Sequence, residues 1–153
     1  MTTQGQRGPR ATYIALESIG RAIRDLDKPR GTVQIFDGFG GVRVEDDYRT
    51  ETPAEKLAVT EDLIGAAFVL AQTYTHGKGG APFEAIRTVA NYWKHRDQWD
   101  ARWSEIGPNV GTIRAVKTLG LAPPVAVGQL STLAEWALCV RFDVDALRRA
   151  INP

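Results

Sequence analysis

Between residues 84 and 95 four polar side chains, Glu84, Thr88, Asn91 and His95, follow one another at steps of four, three and four. On a helix that turns about 100° per residue this spacing lays them in one stripe, which Arg87 and Lys94 border. An imidazole that moves a proton, an amide that orients it and cations that neutralise phosphate are the parts needed to cleave RNA by its own 2′-hydroxyl. The nucleophile then belongs to the substrate, so the protein must only transfer protons and stabilise charge, and neither a metal nor a cofactor is expected. In this reading His95, Asn91 and Arg87 are the catalytic candidates, and Lys94, Glu84 and Thr88 the substrate-binding ones. A plainer reading fits the same residues: Asn91 and His95 hydrogen-bond inside a helical core while Arg87 and Lys94 lie in water.

Other residue types offer less. Asp37-Gly38-Phe39-Gly40-Gly41 and Gly77-Lys78-Gly79-Gly80 are glycine clusters, but neither has the glycine, lysine and hydroxyl spacing of a phosphate-gripping loop between a strand and a helix, so both read as turns. The two histidines, His76 and His95, form no compact ligand motif, and no metal site is expected. Cys139, the single cysteine, sits in the apolar run Trp136-Ala137-Leu138-Cys139-Val140 and reads as a small core residue. Trp99 and Trp103 lie one helical turn apart and rotated away from Trp93, which marks them as candidate partner-binding residues.

Helices must position these groups. Leu16, Ile19, Ile23 and Leu26 recur at steps of three and four, which predicts a first helix over 11–28, stopped by Pro29. Residues 32–45 alternate instead, Val33 and Ile35 before the glycine cluster and Val42 and Val44 after it, the pattern of a small β-hairpin. Thr52, Pro53 and Glu55 predict a capping box and a second helix from Pro53 to about Tyr74, whose stretch Leu63–Ala71 is apolar all round and therefore central. A third helix is expected from Pro82 to Trp99 or Trp103, with Phe83, Ile86, Val89, Ala90 and Trp93 inward. Asn109 offers a cap for a fourth helix ended by Gly120. The last segment spans about Leu130 to Ala150, with Thr132 and Glu135 as a capping box and a break near Asp143. The expected fold class is all-α, a bundle of four to five helices with a small inserted β-hairpin, comprising a flexible tail over 1–10 and a single helical domain over 11–153.

The 153 residues suffice for one domain with a substantial core, and the 43% hydrophobic, 24% charged balance is that of a globular chain. A net charge of +1 provides no overall field to hold nucleic acid, so any such role must be local. One cysteine excludes an intramolecular disulfide, the polar start lacks the apolar core of a secretory signal, and the longest apolar stretch has nine residues; a cytoplasmic protein with no membrane contact is expected.

Asn91-Tyr92-Trp93-Lys94-His95-Arg96-Asp97 resembles the Asn-x-x-Lys-His segment of small helical bacterial proteins related to the HEPN superfamily, many of whose members are ribonucleases of toxin-antitoxin and phage-defence systems. The resemblance implies a metal-independent ribonuclease with an RNA substrate, and a homodimer in which paired bundles line a shared cleft. Seven residues separate Arg87 from His95, a longer gap than the usual Arg-to-His spacing of that family. The alternative is a non-catalytic protein-binding module, an antitoxin, immunity or accessory subunit, that grips a protein partner with the hairpin and the tryptophan-rich helix. The enzyme requires His95 in a cleft beside Arg87 or Lys94, whereas the binding module allows it to be buried and hydrogen-bonded.

Overall fold

A computed structural model describes residues 9–28, 32–36, 38–46, 52–96, 110–121 and 126–152. The body is all-α. In chain order come α1 (Pro9–Asp25), strands β1 (Thr32–Phe36) and β2 (Val42–Asp46), α2 (Pro53–Gln72) continued by a 3-10 turn (Thr73–Thr75), α3 (Ala81–Lys94), α4 (Val110–Thr118), α5 (Gln129–Leu138) and α6 (Val144–Ile151). Among the described residues six helices stand where four to five were expected, and the last segment, read over about Leu130 to Ala150 with a break near Asp143, is two helices. Cys139, at φ 56°, turns the chain left-handed after Leu138, and α6 restarts behind Asp143. The turn leaves Cys139 exposed outside the helix, which corrects its placement in the core.

α2 is the central helix, in contact with α1, α3, α5 and α6. Its N-terminus carries the expected capping box: the Glu55 N–H donates to Thr52 Oγ1 at 3.2 Å and the Thr52 N–H donates to Glu55 Oε2 at 2.8 Å. Ile64, Ala67, Phe68 and Ala71 of α2 are buried against Ile86, Val89 and Ala90 of α3, with Leu16, Leu133 and Leu147 closing the core from α1, α5 and α6. The inward aromatic of α3 is Tyr92, 1% exposed, while Trp93 is only half-buried. Trp93 instead lies against Gly65 of α2, where a Cβ atom would land inside the indole, and the Arg96 guanidinium covers the ring at 3.8 Å. That cation also ends the helix: Arg96 Nη1 donates to the Trp93 carbonyl at 2.8 Å, His95 becomes the C-cap, and α3 stops at Lys94 short of the expected Trp99 or Trp103. Trp99, Trp103 and the expected cap Asn109 lie outside the described residues.

α5 does not start with the expected box. Thr132 is already inside the helix and its hydroxyl donates back to the Gly128 carbonyl at 3.2 Å. The N-cap is Gly128, which has no side chain to offer, and the acceptor comes from α2: the Gly128 N–H and the Ser131 N–H donate to the two oxygens of Glu61 at 2.6 and 2.7 Å. Glu61 is 4% exposed, so a buried carboxylate satisfies the open N–H groups of a helix almost seventy positions away.

β1 and β2 pair antiparallel, with Gln34 opposite Val44 and Phe36 opposite Val42, around a turn in which Gly38 and Gly40 hold φ of 82° and 86°. Phe36, Val42 and Val44 share one face and are 70%, 53% and 60% exposed, and Phe39 at the tip is 97% exposed. The first helix begins at Pro9, two residues before the expected start, and ends at Asp25; residues 26–28 continue as turns.

Candidate functional site

The polar stripe of α3 is distributed among three different environments. Glu84 is exposed in the first turn, and its carbonyl accepts the Thr88 hydroxyl at 2.9 Å. Asn91 is half-buried, and its Oδ1 accepts from Gln72 Nε2 of α2 at 3.1 Å, a stitch between the two helices. His95 is half-buried at the C-cap, with its N–H donated to the Asn91 carbonyl at 3.1 Å. Arg87 turns away from the stripe toward the chain that enters α3, where Nη1 donates to the Thr75 carbonyl at 2.8 Å and to the Lys78 carbonyl at 2.9 Å. Those carbonyls close the end of α2, so the guanidinium serves as the clasp of the connecting turn.

Sequence spacing sets Arg87 and Lys94 seven positions apart on one side of α3; the structure adds Lys78 and His76 from the turn. A cleft of about 580 Å³ is lined by His76, Lys78, Arg87 and Lys94 together with Gln72, Thr73, Thr75 and Gly77, and no carboxylate is among its lining residues. Neither His95, Asn91, Thr88 nor Glu84 lines it. The turn Gly77-Lys78-Gly79-Gly80 works as a turn, with Gly77 at φ 73° and Gly80 at φ 111°, and Gly77 and Lys78 line the cleft. Lys78 Nζ stands 5.3 Å from the centre of the Phe83 ring, a cation–π contact that orients its stem. His76 is exposed and follows directly on the 3-10 turn. Sequence reasoning missed it because His76 stands in a loop, whereas the helical periodicity that drew attention to His95 speaks only for residues on one helix.

A cluster of this composition attracts an anion. Two ammonium groups and a guanidinium on one rim concentrate positive potential in a chain whose net charge is only +1. Thr73 and Thr75 bond their hydroxyls to the Leu70 and Gln72 carbonyls, both at 2.8 Å, which removes the bare carbonyls that would oppose an anion at the end of α2. Among the described residues no group of three or more metal-ligating side chains exists. A second depression, lined by Tyr13, Asp145, Arg148, Arg149 and Asn152, mixes both signs of charge.

The other polar constellation is internal. Gln129 Oε1 accepts the Tyr92 hydroxyl at 2.8 Å and the Ala126 N–H at 3.1 Å, next to the Glu61 carboxylate that caps α5. Burial first, and the Glu61 charge second, push the Tyr92 hydroxyl well above the ordinary tyrosine range. This network ties α2 and α3 to the start of α5, with Tyr92 and Glu61 buried and Gln129 half-buried. Among the described residues no helix is long and apolar enough to cross a membrane. Comparison of the chain with protein-family models finds no match, and comparisons with curated proteins and with solved structures find no significant similarity.

Proposed function

We propose that the chain binds RNA through its phosphates in the cleft between the end of α2 and the start of α3, as a HEPN-like protein of the toxin-antitoxin or phage-defence kind. The observation that carries this reading is the cleft lining, to which Lys78, Arg87 and Lys94 bring positive charge and in which no carboxylate stands. Lys78 and Lys94 are the phosphate contacts, and Arg87, whose Nη1 holds two backbone carbonyls, is the residue that keeps Lys78 and His76 on the same side. Binding of a single-stranded oligoribonucleotide, followed by fluorescence anisotropy over a salt series, tests it. Affinity is expected to fall with salt at a slope of about −0.7 per phosphate engaged, and Lys78→Glu or Lys94→Glu should each weaken binding and flatten that slope by about 0.7. A salt-independent affinity, or one that both variants leave intact, refutes the reading.

A second reading is favoured by one placement: His76, not His95, shares the cleft with the cations. If the bound RNA is cut, His76 takes the 2′-hydroxyl proton, the 2′-oxygen bonds to phosphorus as the P–O5′ bond breaks to leave a 2′,3′-cyclic phosphate, the departing 5′-oxygen takes a proton from water, and Lys94 stabilises the charge that gathers on the phosphate. Cleavage in the presence of a chelator should then drop by about 100-fold or more in His76→Ala and persist in His95→Ala. Folded protein that binds RNA without cutting it eliminates this form and retains the first.

A further inference from the structure

The hairpin raises a question that the cleft does not answer. A two-stranded sheet alone in water is at best marginally stable, and stability comes with further strands or a covering helix. Here Phe36, Val42 and Val44 form an apolar face that is 53 to 70% exposed, and the sheet has two strands among the described residues. Each strand therefore presents an outer row of backbone donors and acceptors, the template on which another strand adds.

The sequence of β2, Val42-Arg43-Val44-Glu45-Asp46, selects what that strand is. Two copies of β2 laid edge to edge about a two-fold axis must pair antiparallel, and residues facing one another must share the same alternation, so the axis passes through a residue. An axis through position 43 sets arginine against arginine, and one through position 45 sets glutamate against glutamate. An axis through position 44 sets valine against valine and arginine 43 of each copy across from glutamate 45 of the other, twice in one interface. Like charges directly opposite destabilise a sheet and opposite charges support it, so one register is favoured on both sides. β1, Thr32-Val33-Gln34-Ile35-Phe36, carries no charge and gives no such selection.

We infer that β2 of one chain pairs with β2 of a second copy through the register centred on Val44, making a four-stranded sheet in the order β1-β2-β2-β1. The contact is isologous and therefore uses up both β2 edges at two copies, with β1 outermost on each side, whereas β1 against β2 would repeat the same contact at each end and propagate. Because register pairs Phe36 with Val42 and Gln34 with Val44, the two exposed apolar faces join into one, with the two Val44 side chains at the axis. This interface involves no helix, so it differs from paired bundles around a shared cleft, and it is independent of RNA binding.

Sedimentation velocity of the full chain over a concentration series tests it, with Arg43→Glu, Glu45→Arg and their equimolar mixture. The wild type is expected to dimerise reversibly, and each single variant to weaken the dimer by about tenfold or more. The mixture should recover it, since every facing pair is then again of opposite sign. Helical circular dichroism confirms folding in each case. Independently, Val44→Cys in a Cys139→Ser background should give a reducible covalent dimer on mild oxidation, while Gln34→Cys in that background should not. A wild type that stays monomeric, single variants that dimerise as well as the wild type, a mixture that does not recover, or an absent cross-link at position 44 would each overturn the inference.

Discussion

Tyr92 fills the core from α3 with 1% of its surface exposed, and its hydroxyl is the polar end that the core must accommodate. Donation to Gln129 Oε1 at 2.8 Å does so, in a setting where both burial and the Glu61 carboxylate disfavour the phenolate. The linkage has a definite sign. The folded state holds the proton above the ordinary tyrosine value of 10.0, so this contribution is complete below that value and is lost as pH rises through and beyond it. Urea denaturation over an alkaline series should therefore show stability falling above pH 10, with a shallower fall in Tyr92→Phe. At neutral pH that variant should lose only about 1 kcal/mol, the net worth of one hydrogen bond, because Gln129 Oε1 keeps the Ala126 N–H at 3.1 Å. Residue types alone could not assign this role. Asn91 and His95 drew attention through their spacing, whereas the polar network turns on their neighbour Tyr92, whose partner is 37 positions away on α5.

At the level of elements, what was legible in the sequence was what neighbours in sequence decide. The Thr52–Glu55 capping box is complete within four residues and stands as expected, as do the apolar run of α2 and the stop of α4 at Gly120, with φ 75°. The cap of α5 was not legible, because Gly128 contributes no acceptor and Glu61 supplies it from α2; an acidic residue at the edge of an apolar stretch was the one available signal. Glu61→Gln keeps the shape but offers one carbonyl oxygen to two backbone N–H groups, and urea melts should show it destabilised by about 2 kcal/mol, with Glu61→Ala worse. The site was half legible for the same reason. The stripe gave Arg87 and Lys94, but His76 and Lys78 enter from a turn whose course is set by Arg87 reaching back to the Thr75 and Lys78 carbonyls. The α2–α3 contact that holds this geometry passes through Gly65, where no side chain fits beside Trp93. Gly65→Ala, although a better helix former, should cost about 1 to 3 kcal/mol through displacement of the indole, read as a lowered urea midpoint at unchanged m-value.

For the whole molecule, the decisive feature is that the helical body and the hairpin bury different things. The core is built by α1 to α6, and among the residues whose side chains are described none of the buried ones comes from β1 or β2. α1 and α2, which flank the hairpin in the chain, pack directly on each other through the shared core, with an exposed ion pair between Asp27 and Lys56 beside it, so their contact does not pass through the strands. Replacement of residues 31–49 by a short glycine-serine linker should accordingly leave the helical melt within about 4 °C of the wild type, the displacement that about 1 kcal/mol produces in a domain of this size. A larger loss would mean that the hairpin is part of the folding unit. The same variant should bind RNA as the parent does, because His76, Lys78, Arg87 and Lys94 all belong to the body. It should also sediment as a monomer at every concentration, because the paired edge has gone with β2. Loss of binding together with the dimer would instead show that a single cleft is too small a patch at a net charge of +1, and that RNA is held only when two copies present their cations together.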